Sequence, residues 1–374
     1  MTNVLIAGDY CPHGRVESLI EEGNYTDIFG TIRPLIESAD YSIVNFESAI
    51  VLDKAKPIEK RGPNLKCSSK AIEAIKYSGF DMVTLANNHI YDFGEEGIRD
   101  TLSTFQQYGF NIVGGGTNLN NAEQCSFKNL NGKLFAFINF CEHEFSIATN
   151  KTGGANPLNP IRNYYQIFEA KKQADYVIII VHGGHEHFQL PSPRMKETYR
   201  FFVDAGADAV INHHQHCYSG YEIYKKKPIF YGLGNFCFDW DGHRNADWNE
   251  GYMVRLNFVD DEINFELIPY IQGNELPGVI PIKNKTDFLK RIAQLNSIIS
   301  NDILLKQKVD DYNITQGRIL INLFLPYSTR ILNALRRRLS LPSYISKIKL
   351  FKIRNTIDCE SHRDKIIGYL NNVK

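Results

Sequence analysis

The chain has 374 residues, 43% of them hydrophobic and 12% aromatic, with 42 Lys plus Arg against 42 Asp plus Glu. That composition excludes a disordered or collagen-like chain, and the length allows one large domain or two. A formal charge of zero gives no electrostatic case for nucleic acid, which is not expected as a partner.

The N-terminus runs from Met1 straight into the apolar stretch Val4-Leu5-Ile6-Ala7. No basic segment with a long apolar stretch precedes it, so no signal peptide is expected. The longest apolar run of the main body, Val177 to Val181, is far short of the ~20 residues of a membrane helix. Seven scattered cysteines without a CxxC do not read as a disulfide framework or a zinc ribbon. The expectation is a cytoplasmic protein in a reducing compartment.

In chain order, the pattern predicts a strand at Val4–Ala7, a helix at Asp27–Ala39 and a strand at Tyr41–Asn45. A helix at Ser69–Ser78 closes at Gly79, and a strand at Met82–Ala86 leads to a helix at Gly94–Tyr108. Strands follow at Asn111–Val113 and Leu134–Asn139, then a helix at Arg162–Ala174, a strand at Tyr176–Val181, a helix at Pro193–Ala205 and a strand at Ala209–Ile211. Four strands without intervening helices come next, at Gly220–Tyr224, Ile229–Tyr231, Tyr252–Phe258 and Ile263–Pro269. This order predicts one layered α/β domain over 1–275. Residues 276–374 read as a basic, mainly helical appendage, with helical stretches at Thr286–Ser300, Ile319–Leu339 and Ile345–Arg354.

The polar residues after the strands form a pattern. Asp9, Glu47, the pair Asn88 and His89, His182, and the pair His214 and His216 each follow a predicted strand. Ligands gather at the carboxyl ends of strands in α/β sheets, so these distant segments converge. Six of the eleven histidines lie between His182 and His216. A lone strand-end Asp or Asn is ordinarily a turn or helix cap. Five such ends in order point instead to a metal site, and two carboxylates, an amide and four imidazoles suit Mn, Fe, Zn or Ni. Two ions explain the number of groups, since a metal pair holds a phosphate and activates water. The alternation of His214 and His216 directs both rings to one side of an extended strand, leaving His213 in a structural place. His185 and His187 are near enough to support the ligands or to meet substrate.

The segments 8–15 (GDYCPHGR), 45–47 (NFE), 86–97 (ANNHIYDFGEEG), 113–118 (VGGGTN), 181–186 (VHGGHE), 206–216 (GADAVINHHQH) and 231–239 (YGLGNFCFD) resemble the CapA-type poly-γ-glutamate capsule biosynthesis family, part of the calcineurin-like metallophosphoesterase superfamily. The resemblance spans roughly residues 3–270. It implies a four-layer α/β/β/α metallophosphoesterase sandwich with two divalent metal ions between the sheets. Asp9 would bridge the pair and Glu47 would stand where many superfamily members have Asp. Asn88, His182 and His214 would serve one ion and His216 the other. His89 would be the general acid or a contact to the phosphoryl group, and Asp92 would orient it or cap the following helix. Arg15 would bind the substrate anion. Glu186 and Asn235 match motif positions without a clear role. The superfamily's Asp-x-His is here Asp9-Tyr10-Cys11, which leaves one ion with the thin set Asp9, Glu47 and His216. Cys11 reads as a thiolate donor or a small buried group. Gly114–Gly116 reads as a tight turn near the site, and Asp239 with Asp241 as a solvated loop or a cation pair.

Two functions follow. One is a metal-dependent hydrolase of phosphoester type acting on an anionic small molecule or polymer, in capsule or poly-γ-glutamate-like biosynthesis. The other is a non-catalytic capsule-assembly or polymer-binding protein that retains the fold. From 321 to 374 there are eleven Lys/Arg against three Asp/Glu, including Arg330, Arg336, Arg337 and Arg338. That segment is expected to pack on the body with snorkelling side chains, or to touch an anionic membrane surface or a partner.

Overall fold

In a computed structural model the first strand runs from Thr2 to Cys11, so Asp9 lies inside it rather than after it. The structure describes residues 1–52, 55–259 and 262–321, and beyond them 331, 334–335, 338–339, 347–359, 361–362, 365–366 and 370. Thr2–Cys11 pairs in parallel with Tyr41–Phe46 on one side. On the other side its first half pairs antiparallel with Glu250–Val259 and its last residues pair in parallel with Asn235–Phe238. Asn235–Phe238 is a strand that the hydrophobic pattern did not reveal. It can approach because Gly8 carries no side chain: a Cβ there would fall 1.9 Å from the carbonyl oxygen of Gly234. Met82–Thr84 and Asn111–Val113 extend this eight-stranded sheet in parallel, and Glu262–Gln272 and Val279–Pro281 extend it antiparallel at the far side.

Among the described residues the second sheet has six strands. Its centre is parallel, with Tyr176–His182 between Lys133–Cys141 and Ala209–His213. Every residue of Tyr176–His182 is buried, as expected for a parallel strand covered on both faces. Ser126–Leu130 joins Lys133–Cys141 as a hairpin whose turn, Asn131-Gly132, has φ of 51° and 82°. Positive φ at both turn positions matches the twist of the flanking strands.

The sheets face each other. Tyr41 meets Phe137 at 5.5 Å between ring centroids, and Phe135 meets Phe258 edge-on at 4.9 Å. Lys70–Ser78 and Gly94–Gln107 bury Ile72, Ile75, Ile98 and Phe105 in the same core as Leu5, Val44 and Val83 of the first sheet. Pro193–Asp204 covers the second sheet, with Phe202 against Phe140 at 5.5 Å and Tyr199 against Tyr231 at 6.0 Å. Pro160–Lys171 lies beside it, its first turn capped by the side chain of Asn159. The layering is α/β/β/α, as expected.

Two expectations change. The helix expected at Asp27–Ala39 is two short ones, Thr26–Phe29 and Arg33–Glu37. Pro34 has no N–H to continue a helix from Gly30, but fits the first turn of a new one. The body also extends past 275. Thr286–Ser300 buries Phe288, Ile292, Leu295 and Ile299, and Phe288 packs on Tyr218 and Tyr252. The two compact units are therefore Met1–Lys306 and Gln307–Lys374. In the second, Lys347–Asp358 is a helix. Most of the expected helix at Ile319–Leu339, with Arg330, Arg336 and Arg337, lies outside the described residues. Among the described residues no helix is long and apolar enough to cross a membrane.

Candidate metal centre

Six segments bring polar side chains to one end of the facing sheets. Asp9 comes from the first strand, Glu47 from the residue after Tyr41–Phe46, and Asn88 and His89 from the turn after Met82–Thr84. His182 ends its strand, and His214 and His216 follow Ala209–His213. Asn235 starts the inserted strand, paired with Asp9.

Asn139 locks the two sheets together beside this point. Its amide oxygen accepts the Ala86 N–H at 2.6 Å and its amide nitrogen donates to the Ile180 carbonyl at 3.1 Å. Gly114, at φ 90°, leaves room for it: a Cβ would sit 2.2 Å from that amide oxygen. Asn87 then shapes the turn, donating to the Phe46 carbonyl at 2.7 Å and accepting the His89 N–H at 3.1 Å.

Glu47 is the centre of the cluster. It is fully buried, and among the described residues neither of its carboxylate oxygens has a hydrogen-bond partner. Its Oε1 lies 3.6 Å from His182 Nε2, 3.7 Å from His216 Nε2 and 3.9 Å from His89 Nε2. These separations are too long for hydrogen bonds and short enough for a cation between the atoms. An orphaned buried carboxylate is costly, and a cation removes that cost.

Asp9 is buried too. Its Oδ1 accepts from Asn45 Nδ2 at 2.7 Å and its Oδ2 from the His214 N–H at 3.1 Å. Without a cation, burial raises Asp9 to about 6, opposed by those two donors. Glu47 is pushed well above the usual carboxylate range, first by burial, then by repulsion from Asp9 and Glu186. Burial holds His182 and His216 well below the ordinary imidazole value, so both are neutral and able to ligate.

The donor atoms are also oriented. Asn88 Nδ2 donates to Glu144 at 2.9 Å, which turns Asn88 Oδ1 toward His182 Nε2, 3.1 Å away. His214 Nδ1 is 3.1 Å from the same nitrogen. Asn235 Nδ2 donates to the carbonyls of His216 and Trp248, so its Oδ1 receives the His216 Nδ1–H at 2.9 Å. That leaves His216 Nε2 as the acceptor facing Glu47. Among the described residues, Glu47 with His182 and His214, and Asp9 with Glu47 and His216, each form a set of donor atoms within 4.8 Å of one another. The donors fit divalent cations. Glu47 is common to both sets, and Asp9 belongs to the second.

His214 and His216 arrive by a different route than alternation along a strand. The strand stops at His213, and both residues sit in a turn with φ of 86° and 55°. His213 is buried beside Asp9, its Nδ1 3.5 Å from Oδ1.

His89 carries a second arrangement. Its Nδ1 is 2.6 Å from Asp92 Oδ2, which leaves Nε2 facing Glu47. The Leu65 N–H donates to the same Asp92 oxygen at 2.7 Å, and Lys60 binds the other. Lys60 Nζ also lies 3.2 Å from His89 Nδ1, and its side chain is 1% exposed. Burial lowers the His89 pKa, with Asp92 opposing. Lys60 was not found in the sequence, because it lies in a polar stretch without periodicity.

Arg15 is held by an ion pair with Asp239. Its guanidinium pairs with Asp239 at 3.0 and 2.9 Å and donates to the carbonyls of Asn274 and Glu275. Asp239 is 1% exposed and is shared with Arg244, so it belongs to no solvated loop. Cys11 packs with Leu65, Phe238 and Trp248, and burial pushes its thiol well up, so it fills space rather than donating.

A model of the bacterial capsule synthesis protein family PGA_cap matches residues 3–240, a span that includes every residue of this centre. The chain belongs to that family. Among PGA_cap-like relatives, the capsule biosynthesis protein CapA of Bacillus anthracis is 33% identical over 318 residues, covering 83% of this chain and 76% of its own. The PGA biosynthesis protein CapA of Bacillus subtilis is 30% identical over 312 residues, covering 82% and 80%. A probable polyglutamine synthesis accessory protein of Mycobacterium tuberculosis is 24% identical over 218 residues, covering 55% and 57%.

Proposed function

We propose that this PGA_cap chain is a metal-dependent hydrolase of phosphoester type, acting in capsule or poly-γ-glutamate-like polymer biosynthesis. The observation that carries the reading is the orphaned Glu47 carboxylate, ringed by His182, His216 and His89 nitrogens at 3.6 to 3.9 Å. Two divalent ions (Mn, Fe, Zn or Ni) would be held by Asp9, Glu47, Asn88, His182, His214 and His216. When bound they supply Lewis-acid polarisation of a phosphoryl oxygen and of an attacking water.

The remaining roles belong to the chain. Asp92 fixes the His89 ring through Nδ1, and His89 Nε2 faces the centre, where the ring, once protonated on both nitrogens, would donate the Nε2 proton to the leaving oxygen. Lys60 pairs directly with the other Asp92 oxygen and holds that carboxylate in place. The names of the Bacillus relatives support an anionic polymer or its precursor as substrate. Seven free cysteines support a cytoplasmic location. Exposed Ile348 and Phe351, beside Lys349 and Lys352, support a peripheral contact of the C-terminal helix with an anionic membrane or partner.

One observation favours the non-catalytic alternative. Arg15, the cation expected to hold substrate, is committed to Asp239. Elemental analysis after metal loading, with hydrolysis of p-nitrophenyl phosphate and bis(p-nitrophenyl) phosphate by the wild type and His89→Ala, separates the two readings. Bound metal and a His89-dependent turnover support the hydrolase. Polymer binding that survives loss of His89 and His214, without turnover, supports the binding protein.

A further inference from the structure

The loop between the strand Tyr176–His182 and the helix Pro193–Asp204 carries Glu186, a motif residue without a role so far. Its carboxylate forms a third donor set with His214 and His216, all three atoms within 4.8 Å of one another. The histidines are buried and Glu186 is exposed, so it approaches the centre from the solvent side.

The loop is held on both sides of Glu186. Before it, the Gly184 N–H donates to Glu142 at 2.9 Å. After it, the His187 N–H donates to the Gln215 carbonyl at 2.8 Å, and Gln215 Nε2 donates back to the Phe188 carbonyl at 2.9 Å. Gln215 is the residue between His214 and His216. The loop is therefore fastened to the same turn that presents the two imidazoles, and Glu186 is carried with it.

The centre has a vacancy of chemistry for this group. Asp9, Glu47 and His216 are three donors for an ion that favours four or more. Cys11, two residues after Asp9, is packed in an apolar cluster and adds no donor. Two divalent ions also bring four positive charges, against two negative ones from Asp9 and Glu47. A third carboxylate improves that balance and is a hard donor suited to Mn or Zn.

We propose that Glu186 is the outer carboxylate ligand of the metal centre, completing the ion held through His216. The proposal rests on the metal reading above. It gives the centre one ligand that enters from an exposed loop, while Asp9 and Glu47 enter from the buried side.

Titration calorimetry with Mn(II) and Zn(II), with elemental analysis after dialysis, tests it on full-length wild type and Glu186→Gln. The wild type is expected to bind two ions. Glu186→Gln is expected to keep the tighter one and to bind the weaker at least ~10-fold less tightly, with unchanged unfolding temperature in chelator because residue 186 is exposed. Wild-type affinity for both ions in Glu186→Gln would overturn the proposal and leave the metal reading intact. A wild type that binds no ion at all would overturn both.

Discussion

Lys60 Nζ lies 3.2 Å from His89 Nδ1, and both groups meet one carboxylate, Asp92. The Lys60–Asp92 pair is almost fully enclosed, with side-chain exposures of 1% and 0%. Such a pair is a weak source of stability when whole and a large liability when halved.

Lys60→Met therefore leaves Asp92 buried without its cation and is expected to lower unfolding free energy by about 3–5 kcal/mol. Adding Asp92→Asn removes the stranded charge and should recover most of that loss. Urea unfolding of the single and double variants measures both. Equal losses in the two would show that Lys60 acts by packing alone.

The second prediction concerns pH in the metal-free protein. Burial raises Asp9 from its usual 3.8 to about 6. A carboxyl raised on folding contributes stability at low pH that is lost as pH rises through its folded value. Between pH ~4 and ~7.5 the metal-free wild type should lose about 2.5 kcal/mol relative to Asp9→Asn, from the ~1.4 kcal/mol carried by each pKa unit. Saturating metal reverses the comparison, because a cation favours the ionised form that Asn cannot take. Urea unfolding of both proteins in EDTA at the two pH values is the measurement. A gap that does not change with pH would contradict the argument.

The third concerns Arg15. Its two-pronged contact with Asp239 ties the start of the helix Arg15–Glu21 to the strand end at Phe238. Lysine cannot reproduce that fork. Arg15→Lys is expected to lower the unfolding temperature while leaving metal affinity and the KM for p-nitrophenyl esters unchanged. A raised KM at unaltered stability would return Arg15 to substrate binding.

The sequence exposed the skeleton of the centre for a physical reason. Hydrophobic strands followed by a polar residue mark the carboxyl edge of a sheet, and Asp9, Glu47, Asn88, His182, His214 and His216 all converge there. That Glu47 would lie in two donor sets was not legible, because it depends on how the two sheets face. Asn235 supports His216 from a short inserted strand whose pairing depends on a glycine contact rather than on hydrophobic alternation. Lys60 and Asn139 act across large gaps in sequence, through polar side chains with no periodic signal. The partner of Arg15 was not legible because a motif position shows residue type and not contacts, and Asp239 is remote in the chain.

Gly8 contributes no atom to the centre, yet the centre depends on what it lacks. With Gly234 only 1.9 Å from where its Cβ would be, any side chain at 8 wedges the Asn235–Phe238 strand away from Asp9. Asn235 would move with it, and His216 would lose the contact that holds its ring. A substitution at a position with no chemistry of its own would thus look, in an activity screen, like the loss of a ligand.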